Sequence, residues 1–173
     1  MINPFAIFDL PVAFNVDQAI LSERYLALQK SLHPDNFVTA DAQEQRIAMQ
    51  KSTEVNDALK TLKDPILRAE AIITLNTGEA QDLEQKSTQD MAFLMQQLEW
   101  REELENIEQS QDENALESFA KRVKKETKEM LTALEAQLNE QQWSTAAQFC
   151  DKLRFLKKLA DEISQVEERL FEL

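Results

Sequence analysis

Residues 21 to 35 read LSERYLALQKSLHPD, and the last three decide how the chain around them folds. Ahead of them Leu21, Tyr25, Leu28 and Leu32 recur at helical spacing, one apolar stripe of an α-helix that Asp17 is placed to start as N-cap. Pro34 stops that helix. Proline has no backbone N–H, clashes with the preceding turn and biases His33 toward extended dihedrals, so His33-Pro34-Asp35 must form a loop. Beyond it Ala48, Val55, Leu59 and Leu62 make a second stripe, which predicts a helix over 41–62 running back along the first. Two antiparallel helices then present the tripeptide at their tip.

Working outward, a chain of 173 residues with 1 Gly and 4 Pro, rich in Leu, Ala, Glu and Gln, predicts an all-α protein. It divides near Gly78. Asn76-Thr77-Gly78 can end a helix that starts after Pro65, with the glycine in the left-handed position past the last turn. Charge shifts at the same place. Residues 1–76 hold 7 Lys and Arg against 10 Asp and Glu, while residues 77–173 hold 12 against 22. Three long helical patterns follow, roughly 85–109, 112–140 and 143–171, and breaks as short as 110–112 and 139–142 force antiparallel neighbours. The expected organisation is an N-terminal domain over 1–76, a linker over 77–84 and a three-helix bundle over 85–173, arranged as an L.

The first bundle helix carries two apolar faces. Phe93, Trp100, Leu104 and Ile107 share one stripe, enough to dock the helix on its neighbours. Met91, Leu94, Met95 and Leu98 lie on the opposite side, continued by Glu102 and Glu105. Either the bundle buries both faces, or the second is an apolar patch rimmed by carboxylates and made for binding. On the third bundle helix, Phe155 falls beside the main stripe of Phe149, Leu153, Leu156, Ile163 and Leu170, so it is expected to join that patch.

Charge and residue usage exclude several classes of function. A net charge of −13 opposes a grip on phosphate backbones, and Lys121, Arg122, Lys124, Lys125 and Lys128 are expected to be a solvated helix face rather than a nucleic-acid patch. Cys150 is alone and His33 is the only histidine, so neither a zinc knuckle nor a nucleophile and base pair can be assembled. No catalytic residue, metal or cofactor is expected. Met1 to Phe14 lack a basic leader region and are broken by Pro4 and Pro11, and no stretch reaches the roughly 20 apolar residues of a membrane span. A cytoplasmic protein is the expectation. The residues by themselves leave Asp35 with two roles, a cap for the next segment or a contact for a partner.

The hairpin and its loop resemble a J-domain, the module that stimulates ATP hydrolysis by DnaK-type chaperones. The resemblance also takes in Phe5-Ala6-Ile7-Phe8-Asp9-Leu10 and Asn56-Asp57-Ala58-Leu59 with Leu62. Asp64-Pro65, Arg68-Ala69-Glu70 and the run from Ala92 to Leu104 are similar to the HscB branch, so the likeness spans nearly the whole chain. It implies a co-chaperone, not an enzyme, that carries an IscU-like iron-sulfur scaffold to an HscA-like ATPase; a general J-protein with another client is the alternative. It implies that His33, Pro34, Asp35, Tyr25, Arg24 and Lys30 meet the chaperone, Asp35 by pairing with an arginine there. It further implies that Leu94, Met95, Leu98, Glu99, Glu102 and Phe155 meet the scaffold. Two positions depart from the J-domain pattern. Leu26 and Ala27 stand after Tyr25 where basic residues are common, and Asn36 stands where Lys is common after Asp35, so electrostatic docking is expected to be weak.

Overall fold

The computed structural model describes residues 2–78 and 90–171, and every regular element among them is helical. Backbone contacts divide the chain into two units, residues 1–79 and 80–173. Each is described by itself.

The first unit begins with a short helix, α1 (Pro4–Ile7), whose Asn3 side chain accepts from the backbone N–H groups of Phe5 and Ala6. Helix α2 (Gln18–Ser31) starts at the expected cap, where Asp17 Oδ1 accepts from Ala19 and Ile20 at 3.0 and 3.2 Å. After a 3-10 turn (Pro34–Phe37), α3 (Ala42–Lys63) and α4 (Pro65–Thr77) complete the unit. Their shared core includes Phe5, Phe8, Leu21, Val55, Leu62 and Ile73, which are buried. The two predicted stripes of the hairpin thus face inward, with Leu28, Leu32 and Leu59 half-buried at the edge.

Arg68 holds the corner between α3 and α4. Asp64 and Pro65 start α4, and one turn later the buried Arg68 donates from Nη1 to the Leu62 carbonyl at 2.7 Å, satisfying one of the orphaned acceptors at the end of α3. Its guanidinium also lies 4.9 Å from the Phe14 ring centre. Burial disfavours the charge and pulls its pKa below the ordinary arginine value, with the Asp64 carboxylate acting the other way. Arg68→Met should cost about 1.5 to 3 kcal/mol, the range for a hydrogen bond to a charged group. A melting curve that does not move would show that the corner is held by apolar packing alone.

Gly78 closes α4 at φ 76, the left-handed cap expected of it, with its N–H on the Thr74 carbonyl at 2.8 Å. Thr77 is therefore the last residue of a helix rather than the start of a linker. Residues 79–84 of the predicted linker, and 85–89 of the predicted first bundle helix, lie outside the described residues.

The second unit comprises α5 (Met91–Ser110), α6 (Glu113–Asn139) and α7 (Trp143–Phe171). The connections are as short as the breaks required, and each turns through a glutamine in the left-handed region, Gln111 at φ 52 and Gln141 at φ 59. The core is assembled from Phe93, Leu104 and Ile107 of α5, Phe119, Val123 and Leu134 of α6, and a broad face of α7 that runs from Ala146 to Val166. Trp100 stands against Phe119, ring centres 6.0 Å apart at 66°. Ion pairs between Arg122 and Glu103 and between Arg169 and Glu108 link neighbouring helices at the surface. Cys150 is buried and takes part in no disulfide.

Candidate partner-docking sites

At the tip of the hairpin, Pro34 forces His33 into an extended conformation, φ −59 and ψ 137, and starts the 3-10 turn that follows. The imidazole caps that turn, its Nδ1 accepting from the Asp35 N–H at 3.2 Å. The His33 carbonyl accepts from the Asn36 N–H at 2.9 Å. Asn36 in turn donates from its side chain to the carbonyls of Lys30 and Ser31, at 2.8 and 3.3 Å. The Asn36 amide thus closes the C-terminal end of α2.

These bonds place the caps around Asp35 on other residues. The cap of the turn belongs to His33, and the cap of α3 to Asp41, which accepts from the Glu44 N–H at 2.8 Å. Asp35 caps nothing. Its side chain is 87% exposed and lies 3.5 Å from His33 Nδ1.

The other expected docking residues on α2 divide. Lys30 is exposed. Tyr25 is half-buried and donates its hydroxyl to Asn56 Oδ1 at 2.8 Å, beside Gln29 Nε2 at 2.8 Å, which ties α2 to α3. Arg24 also bonds within the unit. Its Nη1 donates to the carbonyls of Phe8 and Asp9 at 2.8 and 2.7 Å, closing the loop after α1, so one guanidinium nitrogen is held there.

On α5 the two faces separate as the spacing predicts. Phe93, Leu104 and Ile107 are buried and Trp100 half-buried, while Met91, Met95 and Leu98 are exposed, Leu98 by 64%. The bundle therefore does not bury both stripes. Leu94 lies on the flank, half-buried, and Glu99, Glu102 and Glu105 are exposed around the apolar side chains. Glu99 and Glu102 also line a shallow groove with Glu103 and Asn106. Met91, Met95 and Leu98 thus form an exposed apolar face with carboxylates beside it.

Phe155 corrects the expectation that placed it in this patch as an exposed anchor. It is only 8% exposed. Its ring meets Phe93 edge-on at 5.8 Å, tilts against Trp100 at 6.4 Å and lies under the Arg101 guanidinium at 5.7 Å. The reason is geometric, because α7 packs against both α5 and α6 and buries a face wider than one stripe. Phe155, Leu159 and Val166 form the second stripe, at i, i+4 and i+11, and that spacing could have been found in the sequence. Lys121, Arg122, Lys124, Lys125 and Lys128 are exposed, as a solvated face should be.

A helical hairpin that displays His-Pro-Asp, followed by a helical unit with its own apolar patch, defines the class of J-domain co-chaperones. Comparison with known proteins gives the family. The model of the HSCB C-terminal oligomerisation domain matches residues 89–164. The co-chaperone protein HscB homologue of Haemophilus influenzae is 69% identical over 173 residues, covering 100% of this chain and 99% of that protein. That of Pasteurella multocida is 61% identical over 170 residues, covering 98% and 99%. The solved structure of the chaperone HscB from Vibrio cholerae superposes with a TM-score of 0.88 at 40% identity, covering 98% of this chain and 100% of that one. Human co-chaperone HscB gives 0.86 at 27% identity, covering 100% and 84%. The chain belongs to the HscB family of co-chaperones.

No helix among the described residues is long and apolar enough to cross a membrane, and no group of three or more His, Cys, Asp or Glu among them is placed to hold a metal ion.

Proposed function

We propose that this chain is a cytoplasmic co-chaperone, without an enzymatic step of its own, that binds an IscU-like iron-sulfur scaffold on its second unit. It then delivers the scaffold to an HscA-like DnaK-type chaperone and raises the ATPase rate of that chaperone through its first unit. In domain terms the J-domain occupies residues 1–76 and the scaffold-binding bundle residues 85–173. The observation that carries the proposal is the pairing of two different displays on one chain. An exposed carboxylate at the end of a rigid hairpin suits a partner cation, and an uncovered Met91, Met95 and Leu98 face suits an apolar client surface.

The chemistry of hydrolysis lies in the partner. A co-chaperone contributes only differential binding, by meeting the hydrolysis-competent conformation of the ATPase better than the other. Charge-assisted contact of Asp35 with an arginine near the chaperone's interdomain linker supplies part of that difference. Scaffold held on the second unit would raise the local concentration of client at the chaperone without any new contact.

The test is a steady-state ATPase assay of the HscA-like chaperone with the chain alone, the scaffold alone and both together. Stimulation by the pair well above the sum of the separate effects is expected. Stimulation by the chain that is indifferent to scaffold, with no scaffold binding by calorimetry, would favour a general J-protein with a different client.

A further inference from the structure

Beneath the His-Pro-Asp turn lies a cleft of about 410 Å³ between the end of α2, the turn and α3. Leu32, Pro34, Phe37, Val38 and Met49 supply its apolar walls, and no charged side chain lines it. Gln45 closes one side by donating to the Phe37 carbonyl at 2.9 Å, so the wall is held by a bond within the unit. Val38 and Met49 are each 72% exposed. A concave apolar site flanked by two large uncovered hydrophobic side chains is a place for an inserted side chain.

Pro34 is shared between this cleft and the displayed tripeptide, so a surface that reaches Asp35 is continuous with the cleft mouth. The same surface finds few cations on α2. Arg24 donates to the Phe8 and Asp9 carbonyls, Leu26 and Ala27 follow Tyr25, and Lys30 alone remains exposed there. Docking of this unit therefore has an apolar site beside an α2 face with few cations, while Arg46 and Lys51 are exposed on α3.

We propose that the cleft receives an aliphatic side chain of the same chaperone surface that meets Asp35, so that apolar burial rather than charge on α2 sets the affinity of docking. The inference rests on the chaperone reading above and adds the chemistry of the partner contact. Asp35 then governs how strongly docking is coupled to hydrolysis, and Val38 with Met49 govern how tightly the surfaces dock. Binding of this kind is little screened by salt, unlike a contact between exposed charges.

The experiment titrates the full chain into the HscA-like ATPase at about 50 and about 200 mM salt, a range over which the screening length shortens markedly. For the native chain the half-saturating concentration should change by less than about threefold across that range, as expected when exposed charges contribute little. Val38→Ser with Met49→Ser should raise it about tenfold or more, as loss of a buried apolar anchor does, while maximal stimulation is retained. Asp35→Ala should lower the maximum instead. Both cleft positions are exposed, so the melting curve should not move; if the double variant does melt early, Met49→Glu alone carries the same test. Native behaviour of the cleft variants, or a steep salt dependence of the native chain, overturns the inference while leaving the chaperone reading intact. Normal stimulation by Asp35→Ala instead removes the chaperone reading on which it rests. Concentration-dependent self-association that disappears in the double variant, seen by sedimentation, would assign the cleft to a second copy of this chain and also overturn the inference.

Discussion

Replacing Asp35 with alanine is expected to remove nearly all stimulation of the chaperone ATPase while leaving the fold and scaffold binding as they are. The separation follows from the bonds at the tip. His33 caps the turn, Asn36 closes α2 and Asp41 caps α3, so no backbone donor loses its acceptor when the Asp35 carboxylate is deleted. What is lost is a contact to the partner. Removing one member of a charge-assisted hydrogen bond costs about 1.5 to 3 kcal/mol, which is roughly ten- to a hundredfold in coupling. The measurement is the ATPase rate against co-chaperone concentration, beside far-ultraviolet circular dichroism of the variant. Full stimulation by a folded Asp35→Ala protein would show that the displayed carboxylate is not the coupling group.

The second large effect contrasts two sets of residues on the second unit. Met95→Ala with Leu98→Ala should reduce scaffold affinity steeply, because truncating a buried aliphatic anchor at an interface costs about 2 kcal/mol or more, and the melting temperature should hardly change. Both side chains face solvent in the free protein. Phe155→Ala should do the reverse. It leaves a void beside Phe93 and Trp100 and costs about 3 to 5 kcal/mol, so the unit melts at a much lower temperature. Any fall in scaffold affinity in that variant comes from a disturbed platform for α5, since the Phe155 ring lies under the surface. Calorimetric titration with scaffold, paired with a melting curve for each variant, distinguishes the two. An unchanged affinity in the double variant would remove the α5 face as the scaffold site, and a Phe155→Ala protein as stable as the native chain would contradict its place in the core.

Much of the fold was legible because helices in a small protein advertise their buried side. The Leu21 to Leu32 stripe, the Asp17 cap, the break at Pro34 and the glycine after Thr77 each reflect local chemistry, and all appear as read. The exposed face of α5 was legible for a similar reason. Side chains half a turn away from the Phe93 to Ile107 stripe cannot reach the same neighbours, so Met95 and Leu98 remain outside while Leu94, nearer the boundary, is partly covered. Phe155 was misplaced because a single stripe was assigned to a helix with two neighbours, whose burial spans more than one stripe.

The sequence by itself determined that the chain is helical, where the turns fall, that a His-Pro-Asp loop sits between two antiparallel helices, and that α5 carries two distinct apolar faces. Those properties depend on residues a few positions apart, within the reach of a turn or a cap. Only the tertiary structure decided the surroundings of Arg24, Asn36, Asp35 and Phe155. Arg24 is drawn to carbonyls 15 and 16 residues away, Asn36 bonds back to the end of α2, and the His33 cap leaves the Asp35 side chain exposed. Phe155 is buried by aromatic rings on another helix. A polar or aromatic side chain takes the partner that folding brings within bonding distance, and that distance is not written in its neighbours along the chain.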